Sequence, residues 1–112
     1  MDYDQLLSLA TDLGFGLLEC GAEIYRVEES IQRLLQAYGV PQADPFVIPN
    51  CIIVSMVTPD GVPMTQVRRM PSHGTDIDLL ERYNDLCRAL CRETPPVAEA
   101  RQRLLRISQH RR

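Results

Sequence analysis

The side chains best suited to chemistry are concentrated at residues 21–29 (GAEIYRVEE), beside an apolar helix face. Glu23, Arg26 and Glu29 are spaced three residues apart, so in a helix they lie along one surface. Glu23 falls at the predicted start of a helix, where free amide groups and the helix dipole favour an anion. There it could orient Arg26 toward the carboxylate of a ligand or an acidic group of a partner. The same spacing is also typical of a solvated helix face, because such pairs contribute only about 0.2–0.5 kcal/mol each.

A second polar segment, residues 72–76 (SHGTD), precedes another predicted helix. His73 lies beside a glycine and could act as a general base or a ligand. It could equally be an exposed loop histidine. Thr75 and Asp76 are most simply explained as caps of the helix that follows.

Cys87 and Cys91 are four residues apart on a predicted helix, and with His73 they could hold a metal ion. A single helical pair lacks the paired CxxC spacing of structural zinc sites, so no metal is expected. The sequence also contains no GxSxG, no glycine-rich phosphate loop and no HExxH. We therefore expect no cofactor, and an enzyme built on this chain would need an unusual site. All four cysteines lie in apolar stretches, which predicts reduced thiols.

Four helices are predicted from apolar residues at helical spacing. The first covers residues 3–20 and the second residues 23–38, so the short connection predicts an antiparallel hairpin. Glycines inside the first helix, at positions 14 and 16, indicate close approach by a neighbour. Thr75 or Asp76 caps the third helix, which turns Ile77 inward and ends near Arg92. Thr94 and the proline after it cap the fourth.

Three strands are predicted between the two helix pairs. Prolines bracket residues 44–49, which suits an edge strand. Residues 51–58 and 62–70 form a β-hairpin around the turn 58–61 (TPDG), where proline pre-sets one torsion and glycine accepts a positive φ. The order ααβββαα predicts an α+β fold, with a helical hairpin, a three-stranded mainly antiparallel sheet and two further helices.

The composition is that of one globular domain over residues 1–112, with 45% apolar and 24% charged residues and a net charge of -3. No apolar run approaches the roughly 18 residues of a membrane helix, and the acidic start lacks the basic segment of a signal peptide. We therefore expect a soluble, cytosol-type domain. No nucleic-acid partner is predicted, because no aromatic residues interleave with the C-terminal arginines and the chain is acidic overall. Those arginines are Arg101, Arg103, Arg106, Arg111 and Arg112.

The sequence resembles the N-terminal soluble domain of the bacterial threonine/serine exporter family, whose relatives include a dicarboxylate exporter that works with a smaller membrane partner. The resemblance extends from about residue 6 to residue 107. It depends on residues 21–23 and 25–29, with support from 65–69 (TQVRR), from 74–77 (GTDI) and from Leu80, Asn84 and Leu86. Family members often carry arginine at the position of His73.

The resemblance implies a domain on the cytoplasmic face of the bacterial inner membrane, followed in the full protein by membrane spans that this chain lacks. The full protein exports small polar metabolites, and the domain would serve assembly, gating or substrate capture. Expected partners are the membrane part of the same or a companion exporter subunit and a small amino or organic acid. The C-terminal arginines would face anionic lipid, as the positive-inside rule suggests. The residues expected to line the ligand or partner surface are Glu23, Arg26, Glu28, Glu29, Arg68, Arg69, His73 and Asp76.

Two alternatives remain open at this point. One is a small hydrolase-like enzyme with Glu23, Glu28 and His73 as acid–base groups. The other is an oligomerisation module, in which the edge strand or the first helix pair forms a symmetric contact between copies of the chain.

Overall fold

The computed structural model describes residues 1–72 and 74–109, and it contains seven elements in the predicted order. This order confirms the α+β class. The helices are α1 (Tyr3–Glu19), α2 (Ile24–Ala37), α3 (Ile77–Glu93) and α4 (Val97–Gln109), and the strands are β1 (Ala43–Ile48), β2 (Cys51–Val57) and β3 (Pro63–Arg69).

The sheet is antiparallel with the strand order β1-β2-β3, which confirms the predicted edge strand and hairpin. The β2–β3 turn closes where the Thr58 amide donates to the Val62 carbonyl oxygen at 2.9 Å, and Gly61 takes a φ of +88°. Alternate residues of β2 are buried, as expected for a strand covered on one face. The opposite face is more open, and on it Phe46 and Val67 are 55% and 58% exposed.

Helix α1 is the centre of the helical layer, because it packs against the three other helices and against β2 and β3. A Cβ atom added to Gly14 would lie 2.5 Å from Cδ1 of Ile31, and one added to Gly16 would lie 2.5 Å from Cζ of Tyr83. Both distances are far below a normal carbon–carbon contact. The predicted reason for these two helical glycines, close approach by a neighbour, is confirmed.

The predicted inward position of Ile77 is wrong, since this side chain is 63% exposed. The Asp76 carboxylate accepts a hydrogen bond from the Leu79 amide at 3.0 Å, so Asp76 is the N-cap and Ile77 is the first helical residue. The buried side of α3 begins two residues later, and its members are Leu79, Tyr83, Leu86, Cys87 and Leu90.

The predicted role of Thr94 is also wrong. Thr94 has φ 40° and ψ 58°, and its amide donates to the Leu90 carbonyl oxygen at 2.9 Å, so it ends α3 and does not cap α4. The residue before a proline avoids the right-handed helical conformation. Because Pro95 and Pro96 follow, α3 stops at Glu93 and α4 begins only at Val97.

Within residues 1–72 and 74–109, no helix combines the length and the apolar character that crossing a bilayer requires. The four cysteines carry free thiols. Two of them, Cys20 and Cys87, are buried, whereas Cys51 and Cys91 are partly exposed.

Candidate functional site

The turn between α1 and α2 packs against the loop that leads into α3. Gly21 has a φ of +101°, which favours glycine, and a Cβ atom there would lie 3.0 Å from the Gly74 carbonyl oxygen. The Gly74 amide donates to the Glu19 carbonyl oxygen at 3.2 Å, and the Asp76 amide donates to the Cys20 carbonyl oxygen at 3.1 Å. The glycine-containing segments on which the family resemblance depends therefore meet through their backbones.

The predicted Glu23–Arg26–Glu29 surface divides into two exposed ion pairs. Glu23 is the N-cap residue of α2, but its carboxylate makes no capping hydrogen bond and lies 3.8 Å from Nε of Arg26. Glu29 pairs with Arg33, one turn further along α2, at 3.7 Å. A hydrogen bond with Tyr25 is the main cause that raises the pKa of Arg26.

Glu28 joins α2 to the sheet. Its Oε2 atom accepts a hydrogen bond from the Val47 amide at 2.9 Å, and the nearby Gln32 side chain donates to the Ala43 carbonyl oxygen at 3.4 Å. Both partners are backbone groups of β1, an edge strand whose outer amides and carbonyls would otherwise lack a protein partner. At these two positions the edge is covered by α2.

Arg68 belongs to a charged cluster between α1, β3 and α4. Its guanidinium donates to Oδ1 of Asp12 and lies 3.9 Å from the centre of the Phe15 ring, a cation–π distance. Arg101 approaches the other carboxylate oxygen of Asp12 at 3.7 Å. Nη1 of Arg101 is buried and has no hydrogen-bond partner within the described part of the chain. This cluster was not predicted from the sequence, although Asp12 is an acidic residue inside the apolar pattern of the first helix.

A cleft of about 610 Å³ opens at this cluster. It is lined by Asp12, Arg68 and Arg101, by the aromatic rings of Phe15 and Tyr83, and by the apolar side chains of α4. Its volume is in the range of sites that hold small molecules, and its lining combines an apolar wall with a few converging polar groups. We call it the α1–α4 cleft.

A second cleft, of about 660 Å³, lies between α2 and α3. Arg26, Glu29 and Arg33 line it from α2, and Arg88, Cys91 and their neighbours line it from α3. We call it the α2–α3 cleft. Its cysteines and Arg33 were not predicted to form a site together.

The eight residues expected to share one surface do not line a single cleft. Arg26 and Glu29 line the α2–α3 cleft, whereas Arg68 lines the α1–α4 cleft. Arg69 is exposed opposite Cys51 in the β2–β3 register. Asp76 caps α3, and His73 lies outside the described residues. In the described part of the chain, no three His, Cys, Asp or Glu side chains are grouped so that they could hold a metal ion.

Comparison with known families gives one match. The ThrE family model, described as "Putative threonine/serine exporter", matches residues 8–112. Neither the curated proteins nor the solved structures contain a significant match. The ThrE match covers almost the whole chain and agrees with the resemblance found at residues 21–29 and 74–77. The chain therefore belongs to the threonine/serine exporter family.

Proposed function

We propose that this domain captures a small amino acid or related carboxylic acid in the α1–α4 cleft, as part of threonine/serine export at the cytoplasmic face of the inner membrane. One observation carries the proposal. Nη1 of Arg101 is a buried donor with no hydrogen-bond partner among the described residues, and the Arg101 side chain lines a cleft of suitable size. A buried donor left without an acceptor costs about 1–3 kcal/mol, and a ligand carboxylate would remove that cost.

The charges of the cleft suit a zwitterion. Among the described residues of the lining, two arginines, Arg68 and Arg101, face two acids, Asp12 and Glu19, so their charges balance. A ligand carboxylate would accept from Arg101, and a ligand ammonium would donate to Asp12 or Glu19, because carboxylate oxygens accept several hydrogen bonds. The Phe15 and Tyr83 rings would contact the ligand's carbon atoms.

The test is thermal unfolding with threonine, serine, succinate or glycerol as the added compound. A ligand present at ten times its Kd stabilises the folded state by about 1.4 kcal/mol, which raises the Tm by several degrees. We expect threonine or serine to produce this shift and Arg101→Gln to abolish it. Arg82→Gln is the matched control, because Arg82 is an exposed arginine of α3 that does not line the α1–α4 cleft. An absent shift at millimolar concentrations, or an equal shift in both variants, would rule out capture in this cleft.

The predicted lipid contact of the C-terminal arginines stays a proposal, and two of these arginines also form ion pairs within the protein. Arg101 pairs with Asp12, and Arg103 donates to Glu93 at 3.1 Å and to Glu99 on its own helix. Arg111 and Arg112 lie outside the described residues. We propose that the C-terminal end of the chain contacts anionic lipid, without dividing that contact among its arginines. Flotation with anionic and neutral vesicles at low salt tests it, and equal binding to both would contradict it.

The two alternatives have less support. The hydrolase hypothesis requires Glu28 to act as an acid–base group, but its carboxylate accepts a hydrogen bond from the Val47 amide. Oligomerisation through the edge strand requires backbone groups of β1 that are free to pair with another copy. Side chains of α2 already form hydrogen bonds with the Ala43 carbonyl and the Val47 amide. Light scattering over a range of protein concentrations would detect oligomers formed by another surface.

A further inference from the structure

The α2–α3 cleft contains two thiols that the proposed function does not use. Cys87 and Cys91 lie one turn apart on α3, on the side that faces α2. Cys87 is buried, and its sulfur atom lies 3.8 Å from the Ser30 carbonyl oxygen. Cys91 is partly exposed and so can be reached from solvent. The pair therefore consists of a buried thiol and a solvent-accessible one.

The environment of the two sulfur atoms makes them chemically different. A hydrogen bond from the Cys87 thiol, with help from the positive charge of Arg33, lowers the pKa of Cys91 to about 7, although burial opposes this shift. The same hydrogen bond, together with burial, raises the pKa of Cys87. Cys91 is thus the more readily ionised, more nucleophilic thiol of the pair near neutral pH, and Cys87 is the less readily ionised one.

Several arginines share the α2–α3 cleft with Cys91. Of the described residues that line the cleft, Arg26, Arg33, Arg88 and Arg92 are basic and Glu29 is acidic. The acids that pair with the other three arginines, Glu23, Asp85 and Glu93, do not line the cleft. An anion entering the cleft would therefore meet guanidinium groups before carboxylates. A thiophilic metal cation would meet the same positive charges, which disfavours a metal at these thiols.

We propose that Cys91 is a covalent modification site, at which an anionic low-molecular-weight disulfide is drawn into the α2–α3 cleft and exchanged for a mixed disulfide. The Cys91 thiolate attacks one sulfur atom of the disulfide. The original S–S bond breaks as the new one forms, and the departing thiolate takes a proton from water. One disulfide is consumed and one is formed, so the exchange needs no further oxidant.

The expected rate follows from the ionisation of the thiol. At pH 7 a thiol with a pKa of about 7 is about half ionised, compared with about 3% for an ordinary cysteine. Its lower intrinsic nucleophilicity offsets part of this gain and leaves a net advantage of about threefold. Attraction of the anion by the arginines adds to that advantage, and it weakens as salt is added.

The test compares glutathione disulfide, which is anionic, with cystamine, which is cationic, and locates the adducts by peptide mass spectrometry. Each rate is divided by the rate for the same cysteine in the urea-unfolded chain, which removes the intrinsic reactivity of the two disulfides. We expect Cys91 to form the glutathione adduct about tenfold faster than the cystamine adduct after this correction. Arg33→Gln should reduce the preference to about threefold or less, and Arg82→Gln should leave it unchanged.

Two results would overturn the proposal. One is equal corrected rates for the two disulfides at Cys91. The other is faster glutathione labelling at Cys51, the second partly exposed cysteine, which lies on the sheet and outside the α2–α3 cleft. Both measurements use the unmodified chain, so they do not depend on the folding of a variant. They also leave the α1–α4 cleft untouched and therefore do not test the proposed capture of amino acids.

Discussion

Substitution of Gly16 by alanine tests how tightly α1 packs against α3. An added Cβ would lie 2.5, 2.7 and 2.9 Å from three atoms of the Tyr83 ring, which is about 0.9 Å too close for an ordinary contact at the nearest atom. Tyr83 is buried, so its ring has little space to move away. Overpacking of this kind costs about 1–3 kcal/mol.

A smaller effect acts in the opposite direction, because alanine is favoured over glycine in a helix by about 1 kcal/mol. Because the added Cβ would overlap three ring atoms at once, we take the steric cost at the upper end of its range, about 2–3 kcal/mol. After the helix propensity is subtracted, we expect Gly16→Ala to lower the free energy of unfolding by about 1–2 kcal/mol. For a domain of this size that corresponds to a fall in Tm of about 5–10 °C. Urea and thermal unfolding followed by circular dichroism measure both quantities.

A double-mutant cycle with Tyr83→Leu separates the two effects. Without the ring, the alanine should contribute only its helix propensity, so Gly16→Ala should become neutral or stabilising in the Tyr83→Leu background. If Gly16→Ala alone left the Tm unchanged or raised it, the close packing of Gly16 against the ring would be refuted. If the alanine were equally destabilising in both backgrounds, its cost would have to arise from a different contact.

Three further predictions concern the hydrogen bonds and the backbone. Glu28→Ala should lower the free energy of unfolding by about 1–2 kcal/mol, because it leaves a β1 amide without its acceptor. The neighbouring change Glu29→Ala removes only an exposed ion pair and should lower the free energy of unfolding by less than about 0.5 kcal/mol. Equal effects of the two substitutions in urea unfolding would contradict this prediction. Hydrogen bonding to Arg103 is the main cause that lowers the pKa of Glu93, so Arg103→Gln should raise that pKa toward its ordinary value in an NMR titration. Since the folded-state pKa is the lower one, the stabilisation is present above the ordinary glutamate pKa and is lost as the pH falls through the folded value. Thr94→Gly should raise the Tm, because a β-branched residue at φ 40° is strained by roughly 1–2 kcal/mol and glycine is not. A lower Tm would show that the flexibility that glycine adds to the unfolded chain is the larger effect.

Local residue patterns were enough to predict the element order and the turns. The β2–β3 hairpin followed from TPDG between two β-branched runs, and the end of α1 followed from Gly21, because turn chemistry acts over a few neighbouring residues. The errors at Ile77 and Thr94 arose within one helical turn of an end, where capping and the following prolines decide which residue begins or ends the helix. The family could also be recognised from local blocks, and the ThrE match over residues 8–112 confirms it.

The candidate sites depended on distant parts of the chain. Asp12, Arg68 and Arg101 meet only because α1 packs against both β3 and α4, and no spacing rule connects residues so far apart in sequence. Spacing did place Cys87 and Cys91 on one helix face. The Arg33 charge and the Ser30 carbonyl group reach these thiols from α2, and that contact exists only in the folded protein.

The amino-acid sequence alone therefore determined the helices, the strands and the family, since these depend on short-range periodicity, turn residues and recognisable local blocks. Tertiary packing alone decided which charged side chains share a cleft and which are used to hold the fold together. Glu28 illustrates the difference, because its position in the helix is evident from the sequence but its bond to the Val47 amide is not. A side chain's role depends on the groups that packing brings within hydrogen-bonding distance, and long-range contacts set those neighbours.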